Sequence, residues 1–393
     1  PSAPSAPARS RRHQRFDAAL ALDSVDKKAL AELAWSGVPQ GLSRREVWQL
    51  LLGYRPLTRE RAAAALQRKR AEYVDLRRSL YDASPAVQRA VGVDGVPAVE
   101  QGERARDDGE VGLLRQIRKD LPRTRLRSGS LSPSEMLVDS PRIQGLMERV
   151  LFIWAVRQPA SGYVQGLNDV LLPLIVVALV DESGTPVDRL DGEVLCSMGE
   201  ERLGEIEADC YWCMTKILSE IFDHYTHGQP GIQRMAQRLK EIIRRIDAPL
   251  ASHLEAQGID LFHTAFRWIT CLMVREMPMV CCVRLWDTLI AESAQAAGQS
   301  ATNVCIGGDI GSAGFEVLLV YFCACFTEYF SPRLLAMDFE AMTFFLQQIP
   351  TDSFSEQEVE VLLGEAYVLK CLFQQAPRHL AGAEAEAPLS ARS

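Results

Sequence analysis

The sequence predicts an all-α protein, and three observations carry that prediction. Apolar residues recur at the three-to-four-residue spacing of a helix. Ile232, Met235, Leu239, Ile242, Ile243 and Ile246 form one such stripe, and Ile206, Cys210, Met214, Ile217 and Ile221 form another. Two helix starts carry the capping pattern, Ser43 with Glu46 and Ser355 with Glu358, in which each side chain can satisfy an orphaned backbone N–H. Alternating apolar and polar runs, the mark of half-buried strands, are scarce.

Residues 1–15 are mostly Pro, Ala, Ser and Arg and read as a disordered tail. Ser43 then opens a helix that carries Val47, Leu50, Leu51 and Tyr54 on one face. Four stretches interrupt the helical pattern and read as long surface loops: Asp82–Gly112, Arg125–Pro141, Asp181–Gly204 and Ala291–Gly314. The apolar runs Val170–Val180, interrupted by Pro173, and Val317–Phe326 read as buried helix segments, because neither approaches the roughly 18–20 residues of a membrane span. Ser355 opens the last helix, with Val359, Leu362 and Leu363, and residues 376–393 read as a second disordered tail. No fixed repeat period is visible, which argues against a solenoid.

The chain has 393 residues, 47% hydrophobic and 24% charged, the balance of an ordinary globular protein able to build a core without metal or disulfide staples. Lys and Arg number 43 against 51 Asp and Glu, so the formal charge of −8 excludes a global basic field for nucleic acid. The chain opens on Pro1 and reads as a fragment. Ten cysteines, most in helix-period apolar stretches, fit small buried hydrophobes in a reducing cytosol. Cys210 and Cys213 form a CxxC pair with no second pair at zinc-ribbon spacing, so core packing is the reading. His224 and His227 show no convincing partners and read as a helix end before Gly228. Gly307–Gly314 lacks the Lys-Ser/Thr of a phosphate loop.

Three segments stand out. Arg44–Tyr54 holds Arg44, Trp48, Leu51, Leu52 and Gly53, and by itself is an amphipathic helix with a glycine end. Ile117–Thr124 holds Asp120, Pro122, Arg123 and Thr124. Pro122 disfavours helix at Leu121 and sets Arg123 in a turn, where Asp120 could grip its guanidinium or form an ordinary surface ion pair. Ala160–Asp169 holds Tyr163, Gln165, Gly166 and Asn168 between two apolar runs. Gly166 lets a backbone and the Gln165 amide approach a ligand closely, although a plain helix connector would look the same.

Together the three segments resemble the TBC domain of Rab GTPase-activating proteins. The RxxxWxxLLG, IxxDxxRT and YxQGxN boxes are read at Arg44–Gly53, Ile117–Thr124 and Tyr163–Asn168. Weaker features follow in order: Glu207-Ala-Asp-Cys-Tyr-Trp212, Phe266-Arg-Trp268, Arg275-Glu276 and Leu285-Trp-Asp287. The resemblance spans residues 35 to 375, and the spelling from Pro159 to Gly166 resembles a Golgi-associated branch. It implies one large multi-helical domain of two helical halves.

The resemblance also implies a function: acceleration of GTP hydrolysis by a Rab-family GTPase in its GTP-bound form. Arg123 matches the arginine finger that stabilises charge on the transferring phosphoryl group. Gln165 matches a glutamine supplied in trans, whose amide can hold the attacking water. The chain is then not a free-standing hydrolase. It needs no cofactor or metal of its own, since the GTPase carries nucleotide and Mg²⁺. Asp120, Arg44, Tyr163, Gly166 and Asn168 are the supporting residues. Arg44 is expected to pair with Asp120 so that the first box braces the finger loop, with Trp48 buried beneath. The protein is expected in the cytoplasm, meeting Golgi or other endomembranes through the Rab. Two other readings remain at this point, a catalytically silent adaptor of the same fold and a helical scaffold. Possession of both Arg123 and Gln165 favours the catalytic one. The segment after Thr124 and the loop Ala291–Gly314 depart from the family pattern, and Arg127–Ser130 reads either as a kinase target or as a solvated loop.

Overall fold

The computed structural model describes residues 10–90, 104–124, 135–190, 193–299 and 314–375. The chain begins with α1 (Arg11–Leu20), α2 (Lys27–Trp35), α3 (Arg44–Leu51) and α4 (Arg59–Leu76), the last continued by a π-helical turn over Arg77–Asp82. Next come α5 (Pro85–Ala90), α6 (Arg104–Asp120), α7 (Glu135–Asp139), α8 (Pro141–Arg157), α9 (Leu167–Ser183), α10 (Glu193–Cys196) and α11 (Glu200–Glu220). The remainder is α12 (Pro230–Ile246), α13 (Ala248–Ala256), α14 (Leu261–Thr270), α15 (Met279–Gln299), α16 (Gly314–Tyr329), α17 (Ser331–Leu334), α18 (Phe339–Gln347) and α19 (Glu356–Gln375). Among the described residues the sole β pairing is an isolated bridge between Ser24 and Thr58. The class is all-α, as the periodicity predicts.

The two apolar runs become the centres of the two halves. In α9 every residue from Leu167 to Leu179 is buried, and in α16 every residue from Phe315 to Thr327. A helix apolar on all sides belongs inside a protein, not on its surface. The helices α8, α11 and α3 pack around α9, while α12, α14, α15 and α19 surround α16. Pro173 sits inside α9 without ending it. The N-terminal helices cross between halves, with α2 lying along α15.

Helix reaches further than composition indicated. The tail expected over residues 1–15 is shorter, because α1 starts at Arg11: Ser10 caps it, Phe16 is fully buried, and Arg12 donates to the carbonyls of Ser36 and Gly37. Helix also enters each of the four expected loops, as α5 and the start of α6, as α7, as α10 with the start of α11, and as the end of α15. The stretch from Ala291 extends α15 because it is rich in alanine, the residue with the highest helix propensity. Residues 1–9 and 376–393, and the sites at Arg127–Ser130 and Gly307–Ala313, lie outside the described residues.

Buried carboxylates tie these helices together at residues read only as weak motif features. Asp209 accepts from Gln49 Nε2 at 3.0 Å, Tyr54 Oη at 2.7 Å and Arg70 Nε at 2.8 Å. Glu207 accepts from Tyr73 Oη at 2.7 Å and Arg149 Nη2 at 2.6 Å. Cys210 and Cys213 are buried beside them, and burial pushes both thiols up, as packing residues require. His224, expected to lack a partner, is fully buried with Nε2 2.9 Å from Glu316 Oε1, and Arg234 pairs with both Glu316 and Asp223.

Candidate functional site

The Arg123 segment is set by its own sequence. Helix α6 ends at Asp120, and Leu121–Arg123 form one 3₁₀ turn with Pro122 inside it. Thr124 leaves in an extended conformation, with its N–H donating to the Leu121 carbonyl at 3.1 Å. Leu121 and Thr124 are buried, while Pro122 and Arg123 face outward. The turn expected around Pro122 is present. Its guanidinium is not gripped by Asp120: among the described residues the Arg123 side chain has no hydrogen bond or ion pair.

The Gln165 segment is a turn that feeds α9. Gly166 is the N-cap at φ 110°, in the left-handed region that favours glycine, and a Cβ there would sit 3.2 Å from Cys271 Sγ. The glycine therefore serves both the turn and a close approach. Gln165, just before it, is exposed.

One polar network holds the two exposed side chains on a common base. The Tyr163 hydroxyl lies 3.2 Å from Asp120 Oδ2 and 3.3 Å from Asn168 Oδ1. Asn168 Nδ2 donates to Thr124 Oγ1 at 2.9 Å, and Asn168 Oδ1 accepts from Gly166 N at 3.2 Å. Gln116 Nε2 donates to Asp120 Oδ2 at 3.1 Å. Burial, and then the Asp120 charge, push the Tyr163 hydroxyl well above its ordinary pKa, so it stays a donor. Asp120 and Asn168 are each 2% exposed, so these bonds form largely away from water, where hydrogen bonds are electrostatically stronger; Asp120 Oδ1 is buried without a hydrogen-bond partner among the described residues. Asp120, Tyr163, Gly166 and Asn168 thus meet at one place, with Arg123 and Gln165 at its surface.

Arg44 does not join them, and the expected Arg44–Asp120 pair is absent. Arg44 Nε lies 3.1 Å from Asp287 Oδ1, and its Nη2 donates to the Val38 carbonyl at 2.7 Å. Trp48 Nε1 and Val38 N donate to the same carboxylate, each at 2.7 Å. The principle behind the expectation holds, since a buried charge needs a partner, but the partner lies on α15. Trp48 is buried as expected and packs on Trp286, with ring centroids 5.9 Å apart. The first box therefore fixes α3 to α15 and supports the fold at a distance from the exposed pair. Its cap is also shared: Ser43 Oγ accepts from Glu46 N at 3.2 Å, while Asp181 accepts from Ser43 Oγ at 2.8 Å and Arg45 N at 2.7 Å.

Thr124, Asp169, Cys271 and Arg275 were not singled out as site residues in the sequence, yet they back the exposed pair. Arg275 Nε is 3.3 Å from Asp169 Oδ1, and Cys271 Sγ donates to Asp169 Oδ2 at 3.6 Å. Burial pushes the Asp169 carboxyl up to about 6, against the opposing pull of Arg275. The available signal was a charged residue embedded in apolar sequence, Asp169 before Val170 and Arg275 after Val274.

An all-α domain in which an exposed arginine turn and an exposed glutamine turn share one buried base defines a class. The chain belongs to the Rab-GTPase-TBC domain family, whose description matches residues 42–335. Its relatives include the GTPase-activating protein gyp1 of Schizosaccharomyces pombe, 36% identical over 94% of this chain and 63% of that protein. TBC1 domain family member 22B of Homo sapiens is 35% identical over 94% of this chain and 63% of its own length. The crystal structure of the Ypt/Rab-GAP domain of Gyp1p matches with a TM-score of 0.74 and 31% identity, covering 92% of this chain and 98% of that one. The chain spans about two thirds of the length of the curated relatives it matches. Among the described residues no helix is long and apolar enough to cross a membrane.

Proposed function

We propose that this chain accelerates GTP hydrolysis by a Rab-family GTPase in its GTP-bound form, with Arg123 as an arginine finger and Gln165 as a glutamine finger. The observation that carries the reading is the pairing of two exposed side chains, the Arg123 guanidinium having no partner among the described residues, on segments joined by the Asp120–Tyr163–Asn168–Thr124 network. Intrinsic hydrolysis is slow because charge developing around the γ-phosphate is poorly neutralised, and an arginine entering in trans supplies that charge. An amide beside it can accept from the attacking water and donate to a phosphate oxygen at once. Nucleotide and Mg²⁺ come with the GTPase. The similarity to GTPase-activating proteins, gyp1 and the Ypt/Rab-GAP domain of Gyp1p, supports the same reading. The Pro159–Gly166 spelling supports an encounter at Golgi or other endomembranes, made through the Rab.

Single-turnover GTP hydrolysis across a panel of purified Rabs tests it. Arg123→Ala is expected to remove acceleration of about 10³–10⁵-fold, the range of arginine fingers in other GTPase activators. Arg123→Lys is expected to fail almost as badly, because a point ammonium lacks the planar fork. Gln165→Ala is expected to remove most activity, while a Rab whose own switch glutamine is replaced by alanine is still turned over. Binding of GTP-loaded Rab without acceleration would identify a silent adaptor instead, and retention of activity by Arg123→Ala would remove the finger assignment.

A further inference from the structure

A third segment reaches the base of both exposed turns, and the proposed reaction leaves it without a role. It is the turn 271–276 that follows α14. Leu272 and Met273 take φ values of 48° and 64°, a region that side-chain-bearing residues rarely adopt. Such strain persists only where its surroundings enforce it, and it concentrates at functional sites. The surroundings here do enforce it: both residues are fully buried, Met273 N donates to the Trp268 carbonyl at 2.9 Å, and Trp286 Nε1 donates to the Leu272 carbonyl at 3.2 Å.

What the strained turn delivers is Arg275. Its Nε stands 3.3 Å from Asp169 Oδ1, and its Nη2 donates to the carbonyl of Arg123 at 3.3 Å. Asp169 lies in the first turn of α9, four residues beyond Gln165, and is 1% exposed. One guanidinium therefore spans the peptide of the arginine segment and the helix that starts at the glutamine segment. Cys271, at the head of the same turn, sits so close to Gly166 that a Cβ on residue 166 would come within 3.2 Å of its Sγ. The guanidinium suits this bridge, since Nη2 donates to the Arg123 carbonyl while the charge around Nε pairs with the Asp169 carboxylate.

We propose that Arg275 is a positioning residue that fixes the Arg123 peptide relative to α9, so that Arg123 and Gln165 meet one nucleotide in register. The inference rests on the reading of those two residues as fingers. Holding the carbonyl of residue 123 fixes the peptide plane from which its side chain departs, and a displacement of about 1 Å in such a group costs on the order of 100-fold in rate.

The test compares the full chain with Arg275→Ala and Arg275→Lys. Three quantities are read: the saturating single-turnover rate on the panel Rab that the unaltered chain accelerates most, the affinity for that Rab loaded with a non-hydrolysable GTP analogue, and amide hydrogen exchange in the free protein. For Arg275→Ala the expected result is a saturating rate lowered about 100-fold, unchanged affinity, and faster exchange confined to residues 121–124 and 163–169. Arg275→Lys is expected to recover part of the rate by keeping the Asp169 pair. Unaltered exchange in both segments overturns the clamp whether or not any Rab is turned over. Faster exchange with an unaltered rate, or a loss that appears wholly in affinity, overturns the positioning role. Failure of the finger reading would show separately, as an Arg123→Ala chain that keeps its rate or a panel on which the unaltered chain does nothing.

Discussion

Asp287→Ala removes a carboxylate that serves three buried donors at once. Asp287 is fully buried and accepts from Arg44 Nε, Trp48 Nε1 and Val38 N. Breaking a buried ion pair from one side leaves the other charge uncompensated and costs about 3–5 kcal/mol. Each neutral donor stripped of its acceptor adds about 1–3 kcal/mol. The three donors share one site, so their losses overlap, and about 5 kcal/mol is the expected total. Whole proteins are stable by only about 5–15 kcal/mol, so this single change should bring the chain close to unfolding. Urea denaturation followed by tryptophan fluorescence reads it directly, because Trp48 and Trp286 pack beside the carboxylate. A loss below about 1 kcal/mol, the size of one ordinary hydrogen bond, would refute the anchoring argument. Arg44→Ala is the companion variant. It should destabilise by about 3 kcal/mol, as removal of one member of a buried pair does, and leave the hydrolysis rate per folded molecule unchanged, since Arg44 pairs with Asp287 and not with Asp120. A fall in that rate would restore the bracing role.

Three other outcomes are expected. Gly166→Ala forces a side chain into φ 110° against Cys271, at about 1–3 kcal/mol; urea unfolding should show that loss together with a lower single-turnover rate, and a variant of unaltered stability would show that the turn relaxes freely. Burial raises the folded pKa of Asp169 to about 6, well above the ordinary range of an aspartate, so its contribution to stability is fully present below about pH 4 and lost as pH rises through 6. Asp169→Asn should therefore gain on the unaltered chain between pH 4.5 and 7.5 by at most about 3 kcal/mol, the equivalent of the shift, and a difference that is flat with pH would contradict the assignment. In the native chain a maleimide should label exposed Cys196 while Cys210 and Cys213 stay unmodified, which mass spectrometry of the peptides would check.

Local patterns were legible because their causes are local. The cap at Ser355 forms as its spelling indicates: Ser355 N donates to Glu358 Oε2 at 2.8 Å, and Gln357 N donates to Ser355 Oγ at 3.2 Å. The stripe from Ile232 to Ile243 faces inward along α12, and the apolar runs around Pro173 and Cys323 are the two buried central helices. Four of the supporting residues, Asp120, Tyr163, Gly166 and Asn168, are found together because two short motifs each bring their own members close. Arg44 was misplaced because its motif says that a charge will be buried and says nothing about which carboxylate will meet it.

The sequence alone therefore determined the helical class, the positions of the central helices, the family, and the two exposed turns that carry Arg123 and Gln165. Nearest-neighbour chemistry decides each of these: helical period, capping groups, a proline that ends α6, a glycine that admits a left-handed turn. Tertiary structure decided the pairings. Arg44 finds Asp287 across 243 residues of chain, and Arg275 reaches Arg123 across 152. No local pattern encodes such partners, because a buried charge accepts any well-placed counter-charge and only the packing of whole helices settles which one arrives.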